Sequence, residues 1–230
     1  MADQLADARA YLRHADPVLA SLIDANPDFE PRAWMRELPK MDAFGALLFQ
    51  IIGQQLSVRS TRAILARLEG LFGGHLPEPQ EVLDAGPERL QRAGLSRRKA
   101  ETLRTLAGRF AAGEFSDEMF QRSSDEEIEA ALTAIPGIGP WTVRGFLIID
   151  LDRADVIPVG DLALRRAVQR AYGLGQQPSE QQLLQIAEPW RPHRSLAVMY
   201  LFASAFEPGT EAAEGGPATP EAREGDASPR

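Results

Sequence analysis

The sequence predicts an all-α fold. Apolar residues recur at three- and four-residue spacing over most of the chain, serines and aspartates stand where helices would begin, and strand-like alternation is rare. The elements follow in order. Asp42 precedes Phe44, Leu47, Leu48, Ile51 and Ile52 as an N-cap, since its carboxylate can accept the free N–H groups of a first turn. Ser57 caps a second helix through Ile64, Leu65, Leu68, Leu71 and Phe72, which Gly73 and Gly74 end. Pro87 opens a short helix that stops at Gly94. Ser96 caps the next, which runs to Gly113. Ser124-Asp125-Glu126-Glu127 is a capping box and starts a helix through Ile128 and Leu132. Trp141 to Ile149 is helical, and Asp161 opens a helix that reaches about Tyr172. Ser179 to Gln182 repeats the capping-box pattern, and a last helix is expected from about Pro192 to Phe206. Residues 207–230 are mostly Glu, Ala, Gly, Pro, Ser and Thr. Such a composition cannot bury a core, so a disordered acidic tail is expected after a helical domain over 1–206.

Composition removes several chemistries. The chain has no cysteine, which excludes disulfides, thiolate catalysis and Cys-ligated metal. Its three histidines, His14, His75 and His193, lie far apart. No zinc-protease helix, P-loop or nucleophile-elbow motif occurs. No apolar run is long enough to span a bilayer, and the N-terminus has no secretory apolar stretch, so a cytosolic protein, or a nuclear one in a cell with a nucleus, is expected. The net charge of −8 argues against a general attraction to nucleic acid. Yet the final segment alone holds six acids against two arginines, and positive charge gathers at Arg97, Arg98 and Lys99, at Arg165, Arg166 and Arg170, and at Arg191 and Arg194. A local basic face on an acidic protein is compatible with these numbers.

The segment IPGIGPWTVRG, Ile135 to Gly145, packs three glycines and two prolines between two helices. Gly137 and Gly139 permit positive φ and remove the Cβ atoms that would hold a ligand away from the backbone. Pro140 suits the first position of the next helix, where its missing N–H is no loss. The result is a tight hairpin with free N–H groups at a helix N-terminus, an arrangement suited to a phosphate oxygen. On these residues alone, a plain helix–helix turn is the slightly better account. Likewise Asp161 reads as a simple N-cap, and Trp141 as a core anchor or a pocket wall.

Several stretches together carry a family resemblance: LTAIPGIGPWTVRGFLI, DVIPVGDLALRRA, EPWRPHRSLAVMYLF, FQIIGQQLSVRSTRAI and GLSRRKAETLRTLA. They resemble the helix-hairpin-helix DNA glycosylases, and within them the monofunctional alkylpurine branch of 3-methyladenine DNA glycosylase II type. The likeness covers roughly residues 40 to 206. It implies two helical lobes with a DNA cleft between them and a hairpin at about 125–150. The N-terminal β domain of larger bacterial members is expected to be absent, since about forty residues precede the first matching helix.

The resemblance also implies roles. Asp161 would be the catalytic carboxylate beside a sugar ring that becomes positive in the transition state. Trp141 stands where the strand-cleaving branch carries a Schiff-base lysine, so base removal without strand cleavage is expected. Trp141 and Phe202 would form pocket walls, the indole face being suited to a cationic alkylated base. Gly145 and Leu162 stand where relatives carry aromatic pocket residues, which implies a roomier pocket. Gln54, Gln55 and Leu56 match the loop that enters the duplex when the base is flipped out, with Gln55 at the wedge. Gly137 and Gly139 would grip phosphate, with Thr142 and Arg144 near. The carbonyls of Thr133, Ile135 and Ile138 would hold a monovalent cation, and no organic cofactor is implied. The implied partner is double-stranded DNA containing 3-methyladenine or 7-methylguanine, met by a monomer. Removal of uracil or an oxidised purine, and binding without chemistry, are the alternatives.

Overall fold

The structure, a computed structural model, describes residues 2–205. The expected acidic tail lies outside the described residues. Twelve α-helices and two short 3₁₀ turns make up the ordered elements, and no strand occurs among the described residues. They are α1 (Ala2–Ala15), α2 (Pro17–Ala25), a 3₁₀ turn (Ala33–Glu37), α3 (Ala43–Gly53), α4 (Val58–Leu71), α5 (Pro79–Arg92) and α6 (Arg97–Ala111). Then follow α7 (Asp117–Arg122), α8 (Asp125–Thr133), α9 (Pro140–Ile149), α10 (Leu162–Ala171), α11 (Glu180–Ala187), a second 3₁₀ turn (Glu188–Trp190) and α12 (Arg194–Ala205).

The expected caps form. Asp42 accepts from Gly45 N at 2.8 Å, Ser57 from Ser60 N at 3.2 Å and Ser96 from Lys99 N at 3.3 Å. Ser124 with Glu127, and Ser179 with Gln182, close reciprocal capping boxes. Three features differ from expectation. Helices α1, α2 and α7 add to the set. The helix expected from Pro87 is only the second half of α5, whose first half begins at Pro79 under a Glu78–Glu81 capping box. Gly86 joins the halves with φ 72°, ψ 161°, a conformation open chiefly to glycine. The last helix begins at Arg194 rather than Pro192, because His193 first completes the turn after Trp190 by donating to its carbonyl at 2.7 Å.

Apolar burial divides the helices into two cores. The first is built from α3 to α9, around Phe44, Leu47, Leu103, Phe120 and Phe146. The second joins the beginning and end of the described chain: Leu12, Leu19 and Ile23 of α1 and α2 pack with Leu164 and Val168 of α10, Leu183 of α11, Trp190, and Tyr200 and Leu201 of α12. A buried carboxylate organises this second core. Asp16 caps α2 by accepting from Val18 N and Leu19 N at 2.8 and 3.1 Å, and it also accepts from Tyr172 Oη at 2.5 Å and Trp190 Nε1 at 3.0 Å. Burial and the neighbouring Asp16 raise the Tyr172 pKa, so the phenol stays protonated as a donor. Asp16→Ala would remove a cap and leave two donors unpaired. We expect a loss of about 3 kcal/mol in urea unfolding.

Candidate active site

The hairpin between α8 and α9 is built as its glycines require. Gly137 has φ +97°, and a Cβ there would come 2.1 Å from Thr102 Oγ1, so only glycine fits. That same Thr102 hydroxyl donates to Pro136 O at 2.9 Å and pins the turn to α6. Gly139 is the extended N-cap of α9, and Pro140 occupies the first turn. No side chain caps this terminus, so its leading N–H groups are not satisfied from within the helix.

The neighbouring loop, Gly53 to Ser57, is tied to the hairpin. Gln54 Nε2 donates to Gly137 O at 3.0 Å and to Thr142 Oγ1 at 2.8 Å. Lys99 Nζ donates to Ile52 O and Gln54 O, both at 2.7 Å, capping the end of α3. Burial lowers the Lys99 pKa, as expected for an ammonium drawn into a partly apolar site. Gln55, at φ +58°, and Leu56 stand exposed at the loop tip, with exposed Val58 beyond.

Between the two cores lies a cavity of about 330 Å³. The 25–42 connection supplies Phe29, Arg32 and Trp34, α3 supplies Gln50, and α9 supplies Trp141, Gly145 and Ile148. Pro158 and Asp161 form another side, and Met199 and Phe202 of α12 close it. Its size and its apolar walls with a few polar groups are those of a small-molecule site. Asp161 caps α10, accepting from Leu164 N at 2.8 Å through Oδ1. Its Oδ2 accepts from the indole Nε1 of Trp141 at 2.5 Å. Each carboxylate oxygen has two acceptor positions, so each retains one for a ligand. The indole itself is 41% exposed, on the first turn of the hairpin helix.

The HhH-GPD pattern, that of base excision DNA repair proteins, matches residues 49–192. This chain belongs to the HhH-GPD superfamily. Among curated relatives, it is 30% identical to DNA-3-methyladenine glycosylase 1 of Schizosaccharomyces pombe, over 86% of each chain. It is also 30% identical to DNA-3-methyladenine glycosylase 2 of Escherichia coli, over 70% of this chain and 57% of that one. Among solved structures, the S. pombe 3-methyladenine DNA glycosylase in complex with abasic DNA superposes with a TM-score of 0.78 at 30% identity. That superposition covers 86% of this chain and 96% of the relative.

Of the residues expected in the HhH-GPD site, Asp161, Trp141, Gly145 and Phe202 meet at the cavity. Leu162 does not: it is exposed on the first turn of α10 and lines no part of the cavity, where Pro158 stands instead. Gln54 was expected at DNA, but its amide is used inside the protein. The Thr142 side chain is buried as its partner, and Arg144 is paired with Glu129 through two contacts at 3.2 and 3.3 Å. Other arginines are also engaged. Arg194 and Arg191 pair with Asp155, and Arg165 donates to Pro178 O at 2.6 Å.

Sequence reasoning missed Gln50 and Asp150 as a pair. Gln50 Nε2 donates to Asp150 Oδ2 at 3.1 Å behind the cavity. The signal was present, since Gln50 is a lone amide within the apolar run of α3. Burial raises the Asp150 pKa from 3.8 to about 6, against the opposing pulls of the Gln50 bond and Arg32. The folded-state pKa therefore lies above the unfolded one. The buried charge lowers stability fully above about pH 6, and that penalty fades as pH falls toward 3.8. We expect Asp150→Asn to raise stability at pH 7.5 by on the order of 1 kcal/mol, read as a higher melting temperature, with the gain vanishing near pH 4 in thermal scans.

Proposed function

We propose that this HhH-GPD chain is a monofunctional DNA glycosylase. It hydrolyses the N-glycosidic bond of alkylated purines, 3-methyladenine and 7-methylguanine, flipped out of duplex DNA. One observation carries the reading: the Asp161 carboxylate stands at the edge of an aromatic cavity, hydrogen-bonded to the indole on the first turn of the hairpin helix. The printed names of the relatives, DNA-3-methyladenine glycosylases, support the substrate class.

In this reading the hairpin N–H groups at Gly137 and Gly139 hold the phosphate backbone beside the extruded nucleotide. Gln55 and Leu56 fill the vacated stack. The cationic base enters between Trp141 and Phe202, where a π-face favours positive charge. As the bond to the base stretches, positive charge builds on the sugar ring. The fixed Asp161 carboxylate stabilises that charge and orients water for attack at the anomeric carbon. The base leaves with the bonding electrons, which neutralise its positive charge.

Strand cleavage through a Schiff base needs an amine at the sugar. The sequence has two lysines, Lys40 and Lys99. Neither lines this cavity, and Lys99 is committed to the backbone of α3. An indole nitrogen cannot replace them. Thr133 ends α8 and Ile135 and Ile138 lie in the turn before α9, and backbone carbonyls of that kind suit a monovalent cation. Such a cation, when bound, would add positive charge near the gripped phosphate. The enzyme would work as a monomer on duplex DNA in the cytoplasm, needing no organic cofactor. Among the described residues no helix is long and apolar enough to cross a membrane.

The test is base release from methylated duplex DNA. Wild type should free methylpurines and leave the strand intact, with no borohydride-trapped adduct. Asp161→Asn should slow release by about 100-fold or more while duplex affinity persists. Release of uracil without methylpurines would overturn the substrate assignment. Unchanged release by Asp161→Asn would remove the carboxylate from the mechanism.

A further inference from the structure

Gly145 and Gln50 face each other across one wall of the cavity. A Cβ added at Gly145 would lie 2.8 Å from Gln50 Oε1, 3.3 Å from its amide carbon and 3.7 Å from Nε2. The amide oxygen is thus the atom turned toward α9, and the missing side chain at 145 leaves room for it. The opposite end of the amide is held: Nε2 donates to Asp150 Oδ2 at 3.1 Å. An ionised carboxylate only accepts hydrogen bonds, so it fixes which way the amide points. No donor from any described residue is directed at Oε1, although Gln50 is 6% exposed and lines the cavity. Of the other polar groups of the wall, each Asp161 oxygen keeps one acceptor position, and Arg32 has a buried Nε without a partner among the described residues. Arg32 donates to Ile148 O at 3.0 Å and pairs with Asp152, and the Trp141 N–H is taken by Asp161.

We infer that Gln50 is a specificity-determining residue, whose Oε1 reads the 6-amino group of the extruded purine. Asp150 is its positioning residue. This rests on the glycosylase reading above. A 6-aminopurine such as 3-methyladenine offers an N–H donor there. A 6-oxopurine such as 7-methylguanine presents an oxygen, which would face Oε1 without a proton between them. A buried acceptor left unpaired discriminates against the substrate that cannot donate to it. The protein thus selects among alkylated purines by a polar contact, in a cavity whose remaining walls are mostly apolar and tolerant.

The experiment measures initial rates of release of 3-methyladenine and 7-methylguanine from one methylated duplex by wild type, Gln50→Met and Asp150→Asn. Comparing rate ratios cancels the different intrinsic lability of the two bases. Gln50→Met, near in shape but without the acceptor, should lower the 3-methyladenine to 7-methylguanine ratio about tenfold, mainly by slowing the former. Asp150→Asn should lower the ratio in the same direction by less, because asparagine donates as well as accepts and frees the amide to turn over. Melting curves establish that each variant is folded, and Asp150→Asn alone decides the matter if Gln50→Met is not. An unchanged ratio, or equal slowing of both bases, overturns the inference while leaving the glycosylase assignment intact. A wild type that releases neither base overturns that assignment, and this inference with it.

Discussion

The indole N–H of Trp141 and the carboxylate of Asp161 meet across the seam between two separately buried cores. One partner stands on the first turn of α9 and the other caps α10, so neither group can shift without disturbing a helix terminus. Everything else in the candidate site is arranged around that contact. The cavity opens beside it, the hairpin ends at Gly139, two residues before the indole on the first turn of α9, and α12 closes the far wall with Phe202. A carboxylate fixed in this way needs little reorganisation when charge develops nearby, which is the condition under which electrostatic stabilisation is most effective.

Much of this was legible because caps and turns are local. Ser57, Ser96, Ser124, Ser179 and Asp161 each satisfy an N–H three residues away, so the sequence neighbourhood contains the whole interaction. Gly137 was legible for a related reason, as the spacing of breakers marked a turn. What the sequence hid was long-range. Helix α1 buries Ala8 and Leu12 but leaves most of its surface exposed, so its periodicity is faint, and its packing on α2 and the turn at Trp190 gives it a place. The break in α5 was visible at Gly86–Pro87, but not that a helix preceded it, because Glu78 caps with a side chain seldom used there.

Site polarity was harder to read than site location. Gln54, Thr142 and Arg144 have the chemistry of DNA contacts, but each is spent on another residue of the protein. A polar side chain near a ligand is as often scaffolding as recognition, and only geometry separates the two. Here the scaffolding has its own logic. Gln54 fastens the loop after α3 to the hairpin carbonyl of Gly137, and Lys99 fastens the same loop to α6. The Gly53–Ser57 loop and the hairpin turn therefore move as one piece. Gln50 escaped notice for the opposite reason, as an amide in an apolar run reads as a tolerated exception until Asp150 and Gly145 are seen around it.

The pairing of α1 and α2 with α10 to α12 has a consequence for biogenesis. On a ribosome the central helical block, α3 to α9, emerges complete and can condense early, since its contacts are mostly among near neighbours. The opening helices must wait, with Leu12, Leu19 and Ile23 uncovered, until the closing ones arrive. Asp161 belongs to this late-assembling half. A nascent chain would therefore acquire its hairpin well before its carboxylate is set in place, so translation stalled ahead of α12 would yield a molecule with a folded hairpin and an unfinished second core.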